Sequence, residues 1–401
     1  QIPKIYGEET IEYFRKIAST AHTIFDKVIK EYREKEDYRK LFPFSKELEE
    51  LMLLPMQYEG YLAIARMDIF YNEDTGDFKF CEVNADGTAS MLRDAEMRRA
   101  LIHNPAHQEV IRHYDFEVFE LFDTWVKAFM DLYNTYPKKR QKPNVALVDF
   151  LEYSTICDFW EFAQRFQEAG FNCEICDIRS LEYRDGALYS ATGNRIDAVY
   201  RRVVTADLMA HYEEASALLN CVRDDNVFMA GAFCTQAIHS KNLFRVLHLD
   251  RTKSFLTEEE REFVEKHIPK TFVYSTGSID PEEIRKNKDH YIIKPMDAYA
   301  SRGIYAAGRE YTQEDWDRVT VELLDKGYVC QEFCEQYVLD NIDYAWGDGE
   351  WHPFLNMTGL YVYNGEFAGI HMRMAEGDGI IVAFENERTA PLYVVKGRKE
   401  D

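Results

Sequence analysis

The chain lacks the features that mark several common protein classes. Basic residues number 48 against 71 acidic ones, a formal net charge of -23. The basic footprint that grips a phosphate backbone is therefore missing, which argues against a nucleic-acid partner. No run approaches the roughly 18 unbroken apolar residues that span a bilayer, so no membrane partner is expected. The opening Gln1-Ile2-Pro3-Lys4 has no apolar signal core, and a cytoplasmic location follows as an expectation. Cysteine is sparse, with 8 in 401 residues, too few for a disulfide scaffold. Cys173-Glu174-Ile175-Cys176 has no second CxxC to complete a zinc site; these thiols, with Cys330 and Cys334, are expected to be buried. No internal repeat or low-complexity tract occurs.

An apolar content of 46% with 14% aromatics is that of a folded globular protein. The length exceeds one ordinary core, so two or three packed lobes are expected. The acidity serves solubility; it also means that an anionic ligand needs a local basic cluster, whereas a cationic co-substrate such as a polyamine suits the overall field.

Organisation follows from periodicity. Helical spacing of Phe14, Ile17, Ala21, Ile24, Phe25, Val28 and Tyr32 predicts an amphipathic helix over 10–34. A second helix follows Val118 and ends at Tyr136-Pro137. The basic stretch 138–143 reads as a solvated linker. Beyond it, strands at 144–150, 171–176 and 196–200 alternate with a helix at 158–169, the signature of a parallel sheet. Ligands of such sheets sit at the strand carboxyl ends, which makes Arg201 and Arg202 candidates for anion contact. The expected division is 1–142, a helical scaffold with a hairpin; 143–226, the parallel-sheet domain; 227–328, a third lobe; and 329–401, a lobe packing with the 60–90 hairpin.

That hairpin carries the chemistry. Strands at 63–71 and 78–84 flank the turn-rich 72–77. With a three-residue loop Asp74-Thr75-Gly76, Asp68 falls opposite Glu82 and Arg66 opposite Asn84. Alternation then places Phe78, Phe80, Glu82 and Asn84 on one side. Directly opposed carboxylates repel unless a positive charge intervenes. Magnesium, which takes hard oxygen ligands, is the natural filler for Asp68, Glu82 and the Asn84 carbonyl, and the forked Arg66 suits a nearby phosphate oxygen. Downstream, Lys241 opens a helix. Lys294 ends the strand 290–295, ahead of a small-residue loop of the kind that cradles phosphates. Asn364-Gly365 predicts a hairpin whose return strand puts Gly369, His371 and Arg373 on one side. His371 is taken as structural.

Taken in order, these segments resemble the synthetase domain of the glutathionylspermidine synthase family, a circularly permuted branch of the ATP-grasp ligases. Arg66-Met67-Asp68 resembles the family's Arg-Phe-Asp, and Glu82-Val83-Asn84-Ala85-Asp86 its Glu-Tyr-Asn-Ala-Asp. Ser240-Lys241, Lys294-Pro295, Gln331-Glu332 and Gly369-Ile370-His371-Met372-Arg373 are similar to its later motifs. The resemblance implies an α/β ATP-grasp fold with a pre-ATP-grasp parallel-sheet domain and a nucleotide lobe with a phosphate lid over 227–328, using ATP and Mg2+. It implies magnesium on Asp68, Glu82 and Asn84, with Arg66 at an acyl phosphate. Lys241, Lys294, Ser301 and Gly303 would meet the nucleotide phosphates, Gln331 and Glu332 its adenine and ribose, and Arg373 phosphate or substrate. The activity implied is ADP-forming ligation of a small carboxylate to an amine, without the family's amidase half. A non-catalytic ATP-binding module and an ATP-grasp kinase are the alternatives. The chain departs from the family after Asp86, where Gly87-Thr88-Ala89-Ser90 replaces the usual Thr-Pro, and in the loop 297–303, which is poorer in glycine.

Overall fold

A computed structural model describes residues 1–297, 306–344, 347–377, 379–382 and 385–399. The expected site residues Ser301 and Gly303, and all but the first residue of the loop 297–303, lie outside the described residues. The chain is a mixed α/β structure built on several sheets. Among the described residues no helix is long and apolar enough to cross a membrane.

The largest sheet among the described residues has six strands. Its centre is Trp351–Tyr363, paired along its length with Glu366–Glu376 through the turn at Asn364-Gly365. Both turn residues have positive φ, 49° and 87°, the backbone that a two-residue hairpin of this twist requires. The opposite edge of the central strand is shared: its first half pairs with Tyr337–Ile342, its second with Ile64–Tyr71, which in turn pairs with Phe78–Asn84. Alternation divides the sheet into two chemically distinct faces. Met67, Ile69, Phe80, Leu360, Val362, Ile370 and Met372 point backwards into one buried core with the helix Glu8–Glu34, where Phe14 meets Tyr71 edge-on at 4.8 Å. Burial of this kind contributes about 25 cal/mol per Å² of apolar area. The front face carries Arg66, Asp68, Glu82, Asn84 and Arg373.

The hairpin reaches the expected pairing by a different route. The Asn72 amide donates to the Asp77 carbonyl at 2.8 Å, so the loop is the four residues Glu73–Gly76, one more than anticipated. A bulge at Cys81 absorbs the extra residue: Ile69 pairs with Phe80, yet Asp68 still pairs with Glu82 and Arg66 with Asn84. The bulge also corrects the expected facing. Phe78 and Phe80 enter the core behind the sheet, while Glu82 and Asn84 turn to the front, because one inserted residue shifts the alternation by one step.

A second sheet is wholly parallel, in the order Phe228–Ala230, Ala198–Arg201, Asn144–Asp149, Asn172–Asp177. Helices Leu121–Thr135 and Ile156–Glu168 cover one face through Trp125, Phe129, Phe162 and Phe166. Cys173 and Cys176 are buried and unbonded. A third sheet, antiparallel, orders Thr271–Val273, Tyr328–Glu332, Tyr291–Pro295 and Ala306–Ala307 over the helix Gln313–Leu323, whose Trp316 is fully buried.

The segment after Asn84 bridges the first two sheets. Arg201 and Arg202, candidates for anion contact in the sequence, hold this segment in place. The Arg201 guanidinium lies 2.6 Å from the Asp86 carboxylate, and Arg202 donates to the Thr88 carbonyl and, at 2.8 Å, to the Tyr200 hydroxyl. Both arginines are buried. Gly87 has φ +58°, and a Cβ there would sit 2.8 Å from the Arg202 carbonyl oxygen. Gly87→Ala is expected to cost about 1 to 3 kcal/mol, read as a lower urea midpoint at unchanged m-value.

Candidate active site

Three sheets converge on a cavity of about 730 Å³ whose wall includes Arg66, Glu82, Asn84, Lys294, Gln331 and Arg373. Asp68 lies directly beneath it. Its carboxylate is fully buried and saturated with donors: Arg66 Nε at 2.8 Å and Nη2 at 3.1 Å, Asn84 Nδ2 at 2.9 Å, and Arg373 Nη2. Arg66 also donates to the Ala89 carbonyl at 2.9 Å, which receives the Tyr361 hydroxyl at 2.8 Å as well. The guanidinium therefore ties the sheet face to the bridging segment.

This packing needs an empty position in the neighbouring strand. Gly359 stands opposite Asp68 on one side and His371 on the other. A Cβ at 359 would lie 2.7 Å from Asp68 Oδ1 and 2.8 Å from Arg66 Cδ. Gly359→Ala is expected to displace the pair and destabilise the fold by about 1 to 3 kcal/mol, with the thermal unfolding midpoint as the measure.

Glu82 turns its carboxylate toward the cavity, with Lys241 Nζ 3.7 Å away. Burial works against its charge, but Lys241, Arg373, Lys294 and Arg66 together outweigh it and hold the group down to about 2. The opposed carboxylates are thus reconciled by four surrounding cations, the local positive cluster that the acidic chain needs to attract an anion. Lys294 donates to Gln331 Oε1 at 2.8 Å and to the Cys81 carbonyl at 3.4 Å. Gln331 Nε2 in turn donates to Thr271 Oγ1 at 3.0 Å. Glu332, beside it, is exposed at the strand end and lines the cavity. The Lys241 amide donates to the Met296 carbonyl at 3.0 Å, which fixes the start of the helix Asn242–Leu247 against the strand exit.

Among the described site residues, then, Arg66, Asp68, Glu82, Asn84, Lys241, Lys294, Gln331, Glu332 and Arg373 all lie at or just behind one cavity. Among the described residues no three His, Cys, Asp or Glu side chains are grouped to hold a metal ion; the donors here are two carboxylates and an amide. Sequence reasoning missed several lining groups. Asp149, at the carboxyl end of a parallel strand, is pushed up to about 7 by burial in spite of Arg202. His239 lines the same wall, and no short-range pattern in the sequence marked it. Cys334, expected to be buried, is half-buried at the rim.

No protein-family model and no curated protein matches the sequence. Among solved structures, the chain is similar to a glutathione synthetase-like effector, GSS30, from Globodera pallida in its apo form. The match has a TM-score of 0.61 and 12% identity, and covers 98% of this chain and 89% of that one. The two share a fold. D-cycloserine synthetase DcsG also matches, with a TM-score of 0.33 and 14% identity over 62% of this chain and 75% of that one; a likeness of that extent carries no argument.

Glu82 also sets an acid dependence. Its value in the folded chain lies below the roughly 4.3 of an unfolded glutamate, so its contribution to stability is complete above that pH and is lost as pH falls toward about 2. Urea midpoints measured across that window are expected to fall more steeply for the wild type than for Glu82→Gln.

Proposed function

We propose that the protein is an ATP-dependent, ADP-forming carboxylate–amine ligase of the glutathionylspermidine synthase-like, ATP-grasp type. The observation that carries this reading is the convergence of Glu82, Lys241, Lys294, Arg66 and Arg373 on one cavity. A carboxylate is inert toward amines at neutral pH. Transfer of the γ-phosphoryl group to a carboxylate oxygen makes an acyl phosphate and leaves ADP; the amine nitrogen then attacks the acyl carbon, and phosphate departs with the electron pair of the broken C–O bond. Catalysis of such steps rests on positioning and on neutralising charge, and no protein nucleophile is needed.

In this reading Gln331 and Glu332 receive the adenine and ribose, Lys294 and Lys241 the phosphates, and Arg66 and Arg373 the transferred phosphoryl group and the acyl oxygen. The donor set fits magnesium in kind, since Glu82 and Asn84 present hard oxygens at the cavity wall. Asp68, bonded to the Asn84 amide behind them, would be the third ligand. Magnesium, when bound, supplies charge neutralisation for the phosphate oxygens. The substrates proposed are a small peptide or amino-acid carboxylate and an amine, in a cytoplasmic setting.

The test is ADP release screened over carboxylate and amine pairs, including glutathione with spermidine. Glu82→Ala is expected to abolish substrate-dependent ADP release while leaving the far-ultraviolet circular dichroism unchanged; retained turnover would remove the assignment. Hydroxylamine trapping of the acyl phosphate separates a ligase from a kinase, because only an activated acyl group yields a hydroxamate. The structure gives no separate support to a purely ATP-sensing role.

A further inference from the structure

His239 is the one cavity-lining imidazole among the described residues, and the ligase reading leaves it without a task. It ends the short helix Gln236–His239, two residues before Lys241. The residue is only 8% exposed, and neither ring nitrogen has a hydrogen-bond partner among the described residues. A buried polar ring left unpaired costs free energy, and that cost is recovered when a ligand supplies the partner.

The charged groups close enough to act on the ring are Asp86, Lys241, Glu82 and Asp297. Their positions order the cavity. Gln331 bonds Lys294, Lys294 reaches the carbonyl of Cys81 beside Glu82, and Glu82 meets Lys241. A nucleotide whose adenine lies at Gln331 therefore brings its last phosphate, not its first, to the Glu82 end, where the imidazole stands. In either protonation state the ring has at least one N–H to give.

Building on the ligase reading, we propose that His239 contacts the terminal phosphoryl group of the bound nucleotide, donating a ring N–H to one of its oxygens. The residue would thus distinguish a nucleoside triphosphate from a diphosphate. It binds the group about to be transferred and requires no new chemistry of its own.

The experiment compares Mg·AMP-PNP with Mg·ADP by calorimetry on wild-type, His239→Ala and His239→Asn proteins, and follows the imidazole nitrogens of the wild type by NMR. His239→Ala is expected to weaken AMP-PNP about tenfold or more, the scale of a hydrogen bond to a charged group, and to leave ADP unchanged. His239→Asn, which keeps an N–H donor, should recover part of the loss. The ring signal of His239 should move with AMP-PNP and stay in place with ADP. Equal weakening of both nucleotides, or a ring signal indifferent to AMP-PNP, would overturn the assignment. If the wild type binds both nucleotides and Lys294→Ala weakens both while His239→Ala weakens neither, only His239 is misassigned. If the wild type binds neither nucleotide, the ligase reading itself fails and this proposal with it.

Discussion

The buried carboxylate of Asp68 is the constraint around which the site is organised. A charge removed from water is tolerated only when it is paired and its lone pairs are filled, and Asp68 recruits Arg66, Arg373 and the Asn84 amide to do so. Those partners come from three different strands of one sheet. The ion cluster therefore ties those strands together, and breaking it from one side would leave the other charges buried and unpaired.

From that cluster the remaining features follow in sequence. Arg66 reaches from Asp68 to the Ala89 carbonyl, so the sheet face is joined to the segment that Arg201 and Arg202 hold from the parallel sheet. Gly359 supplies the space that the Asp68–Arg66 pair occupies. Glu82, opposite Asp68, stays ionised because four cations surround it. The global charge of -23 and this local positive cluster are compatible, since the field within a low-dielectric cleft is set by its nearest groups.

Much of this arrangement is legible in the residues. Alternation and the turn-rich 72–77 segment mark the two strands that carry Arg66, Asp68, Glu82 and Asn84, and Asn364-Gly365 marks its hairpin plainly. The helix at Glu8–Glu34 and the parallel strands follow from periodicity. The loop length and the Cys81 bulge do not: a four-residue loop with a bulge and a three-residue loop without one give the same pairing at Asp68, but they differ in the partner of Ile69 and in the side on which Phe78 and Phe80 emerge. The arginine pair at 201–202 shows the converse. Its charge is evident from the sequence, but whether it faces a ligand or the protein's own carbonyls depends on a segment more than a hundred residues away.

The sequence by itself determined the local elements and the identity of the charged groups, because strand periodicity and turn chemistry act over a few residues. Only the tertiary structure decided which of those charges neutralise one another, that Lys241, Lys294 and Gln331 come to the same wall as Glu82, and that His239 faces the cavity with no hydrogen-bond partner among the described residues. Electrostatic pairing and burial are settled between segments distant along the chain, and their outcome exists only once the sheets have come together.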